Sequence, residues 1–298
     1  MNHQENEGPD NSGQNVLEPA NTQTGILHPA DGTTFDEQYP GETNDQIPID
    51  PDRPTWGVGA GLSAWLLSVG AIILVPFAAV MVWLLILIAG GRIGPSGIKP
   101  ELLLTTTSYL IQVLSTMLAH LLTIAICWAI VTGMGKRPFW ASLGWNWARR
   151  SPLFWTIVSA IVLLGLGGVT TVASRFLPQS ENTPFEQMLK SGASVRVAVA
   201  ALATLSAPLV EEIVYRGVLF GGLRRRFSTG ATIVLVTVAF VLVHVPQYMG
   251  AWVSLTGLTL LSLVLTVVRA RTASILPSVW IHLLNNGYSS VLILLGKV

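Results

Sequence analysis

The 298-residue chain is 51% hydrophobic and only 11% charged, with a mean hydropathy of +0.57, which excludes an ordinary water-soluble domain. Its formal net charge of +1 conceals a split: 11 of the 16 acidic residues lie between Glu5 and Asp52, opposed there by Arg53 alone. There is no basic excess for a nucleic-acid partner to use, and none is expected.

Residues 1–55 are acidic and rich in Pro, Gly and Asn, with too little apolar surface to build a core, so a disordered tail is expected there. The tail lacks the early apolar core of a cleavable signal, leaving the first hydrophobic helix to direct insertion. Residues 56–298 form the second region, an all-α transmembrane bundle. Seven stretches reach or approach the ~20 residues needed to cross a bilayer. They fall at 58–89, 101–132, 152–174, 196–221, 229–246, 250–268 and 272–295. The first two are overlong, implying tilt or a kink at Pro76, and a split of the first would give eight spans.

Loop charge orients the bundle. Arg53, Lys136, Arg137, Arg149, Arg150, Arg224–Arg226, Arg269 and Arg271 fall on one side, which places the acidic tail in the cytoplasm by the positive-inside rule. The run Arg224–Arg226 reads as an anchor on the anionic lipid surface. Between spans three and four, residues 178–194 read either as a short interfacial helix or as a plain connection. Gly165, Gly167 and Gly168 are small enough to permit close helix approach in span three. Cys127, the single cysteine, reads as a small packing residue, as do His120 and Trp128.

Only two acidic residues, Glu211 and Glu212, lie inside a hydrophobic segment, and Arg216 follows closely. Ionisable groups at membrane depth are costly to keep, so this cluster marks a functional site. Three pairs at i, i+4 spacing hold most of the strong polarity of the later spans: Glu212 with Arg216, Phe240 with His244, and His282 with Asn286. Glu211 stands about 100° around the helix from Glu212, so the two carboxylates need not share a task. Counting ~1.5 Å per residue from the basic ends places Glu211, His244, His282 and Asn286 at a similar depth. Pro208, Pro246 and Pro277 lie nearby, and the carbonyls they free are tolerated at that depth only beside protein or water.

The sequences Glu211-Glu212-Ile213-Val214-Tyr215-Arg216, Phe240-Val241-Leu242-Val243-His244 and His282-Leu283-Leu284-Asn285-Asn286 resemble the three motifs of the CPBP (CAAX protease and bacteriocin-processing, Abi) intramembrane protease family, E-E-x-x-x-R, F-x-x-x-H and H-x-x-x-N. The resemblance spans roughly residues 100–295. It implies an endopeptidase acting on a peptide or protein substrate, free or membrane-anchored, within the lipid bilayer, as the CAAX prenyl proteases do.

The residue chemistry reaches the same roles. Glu211 and His244 are suited to activate a water, and His282 with the Asn286 amide to stabilise the oxyanion. Glu212 and Arg216 form a supporting pair, Phe240 packs the site, and Asn285 is structural. A zinc-dependent use of Glu211, His244 and His282 is the competing mechanism, since three ligands would leave one position open for water. No metal is obligatory on the metal-free reading. Two other classes compete: a proton-coupled transporter, disfavoured because no inverted repeat is visible, and a non-catalytic immunity or scaffold protein of the membrane.

Overall fold

The computed structural model describes residues 50–94, 97, 99–180 and 182–297, all within one compact unit, residues 46–298. The expected disorder of the acidic tail lies outside the described residues up to position 49. Every regular element among the described residues is helical.

The long helices follow the hydrophobic stretches. They are α1 (Val58–Ala89), α2 (Thr106–Thr132), α3 (Pro152–Ala173), α5 (Ala193–Arg224), α6 (Thr229–His244), α7 (Trp252–Thr272) and α8 (Leu276–Leu294), with the short α4 (Pro184–Lys190) before α5. Five of them, α1, α2, α3, α5 and α7, are long and apolar enough to cross a membrane; α6 is apolar but has only 16 residues. Their outer faces expose large apolar side chains, among them Leu66, Leu74, Ile86, Leu121 and Leu164. Water would penalise that surface heavily, whereas lipid accepts it. The chain is an integral membrane protein.

Local chemistry sets the boundaries. Thr105, Ser151, Thr183 and Ser228 each accept a backbone N–H of the first turn of the helix that follows, for α2, α3, α4 and α6 respectively. Pro152 and Pro184 occupy first-turn positions where a missing N–H costs nothing. Gly133 ends α2 in the left-handed region at φ 58°. Pro76 does not split the first stretch: α1 runs unbroken for 32 residues. Of the two alternatives for 178–194, the structure takes the helical one, α4, whose Phe185 stacks on Tyr248 at 5.3 Å.

α5 is the hub, touching α1, α2, α6, α7 and α8. The glycines that allow close approach are not those of α3: a Cβ at Gly165, Gly167 or Gly168 would meet nothing within 4 Å. The tight crossing is instead α1 on α5, where a Cβ on Gly222 would meet the Gly57 carbonyl oxygen at 2.8 Å and Gly61 Cα at 3.2 Å.

Candidate active site

α5 is not a plain α-helix. Two segments, Leu202–Ser206 and Glu212–Leu219, adopt i→i+5 hydrogen bonding, a rare widened turn that occurs mostly at functional sites. Proline explains part of the first. In the wider register the Ala203 carbonyl looks to residue 208 for its donor, and Pro208 has no N–H. The Asn286 amide supplies one instead, donating to the Ala203 oxygen at 2.9 Å. Nearby, Thr204 donates to Ser290 at 2.8 Å, while His120 Nδ1 meets Ser206 Oγ at 3.0 Å. Side chains of α8 and α2 thus staple the turn that precedes Glu211.

The second widened segment begins at Glu212. Its carboxylate is fully buried, and Oε1 accepts from Arg216 Nη1 at 3.0 Å and from His282 Nδ1 at 2.9 Å. Oε2 has no hydrogen-bond partner among the described residues. Arg216, equally buried, spends its other donors on α7: Nε on Thr266 Oγ1 at 3.2 Å, and Nη2 on the Ser262 carbonyl and hydroxyl at 3.0 and 2.8 Å. Its guanidinium also stands 4.8 Å over the Phe240 ring. The guanidinium thus meets the hydrogen-bonding condition under which a buried charge is tolerated in a low dielectric, whereas the carboxylate meets it through Oε1 alone.

Glu211 faces differently. Its side chain keeps 20% of its exposure, and Oε2 lies 3.7 Å from His282 Nε2, within ion-pair range but too far for a hydrogen bond. One imidazole is thereby flanked by both carboxylates, Glu212 at Nδ1 and Glu211 beyond Nε2. Because a carboxylate only accepts, His282 Nδ1 carries the proton of the shorter contact. The same logic fixes His244, whose Nδ1 lies 2.7 Å from the Phe240 carbonyl oxygen and must donate to it, leaving Nε2 free to accept.

Phe240 ties the two histidines together. Its ring is 1% exposed, 4.5 Å from the His244 ring and 6.2 Å from the His282 ring, and it meets Tyr215 edge-on at 5.1 Å. Each predicted residue except Asn286 therefore belongs to one connected cluster, and Asn286 sits one turn along α8, engaged with Ala203. Tyr248, in the connection after α6, borders the cluster as well. Burial, aided by the Glu211 charge, pushes its phenol up to about 12.

Among the described residues, no group of three His, Cys, Asp or Glu side chains stands close enough to hold a metal ion.

Two contributors escaped the sequence. His120 is 5% exposed and its Nδ1 meets Ser206 Oγ at 3.0 Å, so it has a polar partner in the widened turn that the sequence did not show. Arg269, counted above as a loop charge, is 1% exposed inside α7, and its Nε donates to the Arg216 carbonyl at 3.1 Å. An arginine near the end of an apolar stretch offers no sign, in sequence, of whether it points outward or inward.

Residues 193–288 match the family model described as Type II CAAX prenyl endopeptidase Rce1-like. This segment of the chain carries an Rce1-like domain that contains all three motifs, in keeping with the resemblance to the CPBP family. Residues 100–192, where the resemblance had been expected to begin, lie outside the match. No curated protein and no solved structure matches the chain.

Proposed function

We propose that the chain is an intramembrane endopeptidase that hydrolyses a peptide bond with a water activated by Glu211 and His244. The observation that carries the proposal is the placement of His282 between two adjacent carboxylates of unlike character. Glu212 is buried and holds Arg216 and His282 through Oε1, whereas Glu211 is partly open and has no hydrogen bond of its own among the described residues. A carboxylate left in this state, in a site walled by apolar helices, is free to take a proton.

In the proposed reaction Glu211 accepts a proton from water while His244 Nε2 accepts a hydrogen bond from its other hydrogen. The hydroxide oxygen bonds to the carbonyl carbon and the carbonyl electron pair moves onto oxygen. His282 Nε2–H and the second N–H of the Asn286 amide are the donors for that oxyanion, each worth about 10²–10³ in rate when preorganised. For this task His282 carries protons on both nitrogens, one held by Glu212. Collapse of the intermediate breaks the C–N bond, and the proton held by Glu211 passes to the leaving amine. Glu212, Arg216 and Phe240 position the imidazoles and do not touch the substrate.

The substrate we propose is a lipid-anchored peptide, the class named by the matched family model. In the same proposal all seven long helices cross the bilayer and the basic loops face the cytoplasm. The test uses purified protein and a fluorogenic peptide with and without a prenyl group. Cleavage that disappears in Glu211→Gln, in protein that remains folded, is the expected result. Cleavage retained at the unaltered rate in that variant would remove the mechanism and favour a scaffold role.

A further inference from the structure

We infer that the segment before the first helix, Pro51–Trp56, together with Arg269, is a clasp that positions the widened turn of α5 bearing Glu212 and Arg216. The inference rests on the endopeptidase reading only for its effect on rate; the clasp itself is a matter of geometry.

An i→i+5 ladder is irregular, and irregular backbone within a membrane protein needs donors from elsewhere. Two carbonyls of the Glu212–Leu219 segment have them. Arg269 Nε donates to the Arg216 oxygen at 3.1 Å, and Trp56 Nε1 donates to the Val218 oxygen at 2.9 Å. Arg269 uses its remaining nitrogens on the segment before α1: Nη1 on Asp52 Oδ1 at 2.7 Å and Nη2 on the Pro51 carbonyl at 2.9 Å. Its guanidinium also lies 4.9 Å over the Phe220 ring. One planar fork therefore joins residues 51–52 to the turn at 216. The three acceptors sit on three different nitrogens, an arrangement an ammonium cannot reproduce.

The segment is seated along its length. Arg225 Nη1 donates to the Pro54 and Thr55 carbonyls at 3.2 and 3.3 Å. A Cβ on Gly221 would meet Pro54 Cγ at 3.1 Å and the Trp56 ring at 3.3 Å, so the glycine makes room for it. On α7, Ser262, Thr266 and Arg269 share one face at spacings of four and three. The first two hold the Arg216 side chain and the third holds its carbonyl. A continuous run of short contacts results: Asp52 to Arg269, Arg269 to Arg216, Arg216 to Glu212, Glu212 to His282.

Asp52 is the carboxylate paired with the buried Arg269. Neutralising it removes the direct ion pair of a buried guanidinium and leaves only the more distant Asp50 charge, which favours a shift of Arg269 toward water and away from the Arg216 carbonyl. None of these groups touches the substrate, so turnover falls and substrate binding does not; outer partners of this kind cost about 10- to 100-fold.

The test combines kinetics with a reporter already present. Cys127 is fully buried in the same apolar cluster as Trp56, Val218 and Phe220, so its labelling by a maleimide in the folded protein reads loosening of this turn. Asp52→Asn should lower kcat about tenfold with KM within about twofold, and Asp52→Glu should restore most of it. Asp52→Asn and Arg269→Lys should both label Cys127 faster, and Trp56→Phe should do so through the Val218 contact. Wild-type labelling and kcat in Asp52→Asn would overturn the clasp. Faster labelling with unchanged kcat would overturn its positioning role. Absence of cleavage by the unaltered protein would instead sink the endopeptidase proposal, and labelling would then decide the clasp alone.

Discussion

Removing the charge of Glu212 should destabilise the protein far more than removing both members of its ion pair. In Glu212→Leu the Arg216 guanidinium stays fully buried without its carboxylate, a situation that costs about 3–5 kcal/mol. Arg216 would still hold Thr266, Ser262 and the Phe240 face, which points to the lower end, about 3 kcal/mol. For a chain of this size that is a fall in Tm of about 6–12 °C. Arg216→Met should do comparable harm by stranding the carboxylate beside His282 alone. The double variant removes both charges of the pair and should recover at least about 2 kcal/mol relative to the sum of the singles. Thermal unfolding of purified protein, followed through its 10 tryptophans, measures all four corners of the cycle. Glu212→Leu melting within about 2 °C of the unaltered protein, or single effects that simply add, would refute the buried-pair reasoning.

His244→Ala should lower kcat by about 10²–10⁴ with little change in Tm, since the Nδ1 bond it loses lies within its own helix. Asn286→Ala should lower kcat by about 10²–10³ and also reduce Tm, because the Ala203 carbonyl loses the side-chain donor it has in Asn286; an unchanged Tm would dissociate Asn286 from the widened turn. Because the folded protein holds the Tyr248 proton up to about 12 while an unfolded tyrosine releases it near 10, the folded state loses stability as pH climbs between those values. Tyr248→Phe should lose less over that interval, each compared with itself at neutral pH, and parallel curves would contradict the burial. Since no three ligating side chains converge among the described residues, a strong chelator should leave peptide cleavage unchanged; a loss restored by zinc alone would reverse this expectation.

Hydrophobic stretches were legible because lipid dictates them: a spanning segment must be long, apolar and internally hydrogen-bonded. The pairing of Glu212 with Arg216 was legible for the same reason, since i, i+4 spacing and the cost of a lone charge leave little choice. The widening of α5 was not. Pro208 hints at a missing donor, yet nothing in Glu212–Leu219 itself distinguishes a five-residue repeat from the ordinary turn. The difference between the carboxylates was visible only as an angle of about 100°, and coordinates were needed to show that Glu212 is buried on Arg216 and His282 while Glu211 stays partly open. Asp52 carried no signal at all. It is the last of eleven acids in a polar tract, and only the fold singles it out as the counter-ion of Arg269.

The bond between Asp52 and Arg269 joins residues 217 positions apart, and that between His282 and Glu212 joins residues 70 apart. Synthesis runs from the amino end at about 5–20 residues per second, so Asp52 leaves the ribosome many seconds before its partner exists. The nascent polypeptide can insert its early helices yet cannot bring an imidazole to Glu212 until residue 282 has been made. Forms that end before residue 282 therefore lack the imidazole that the two carboxylates flank, and topology alone delays completion of the candidate site until all three motifs have been made.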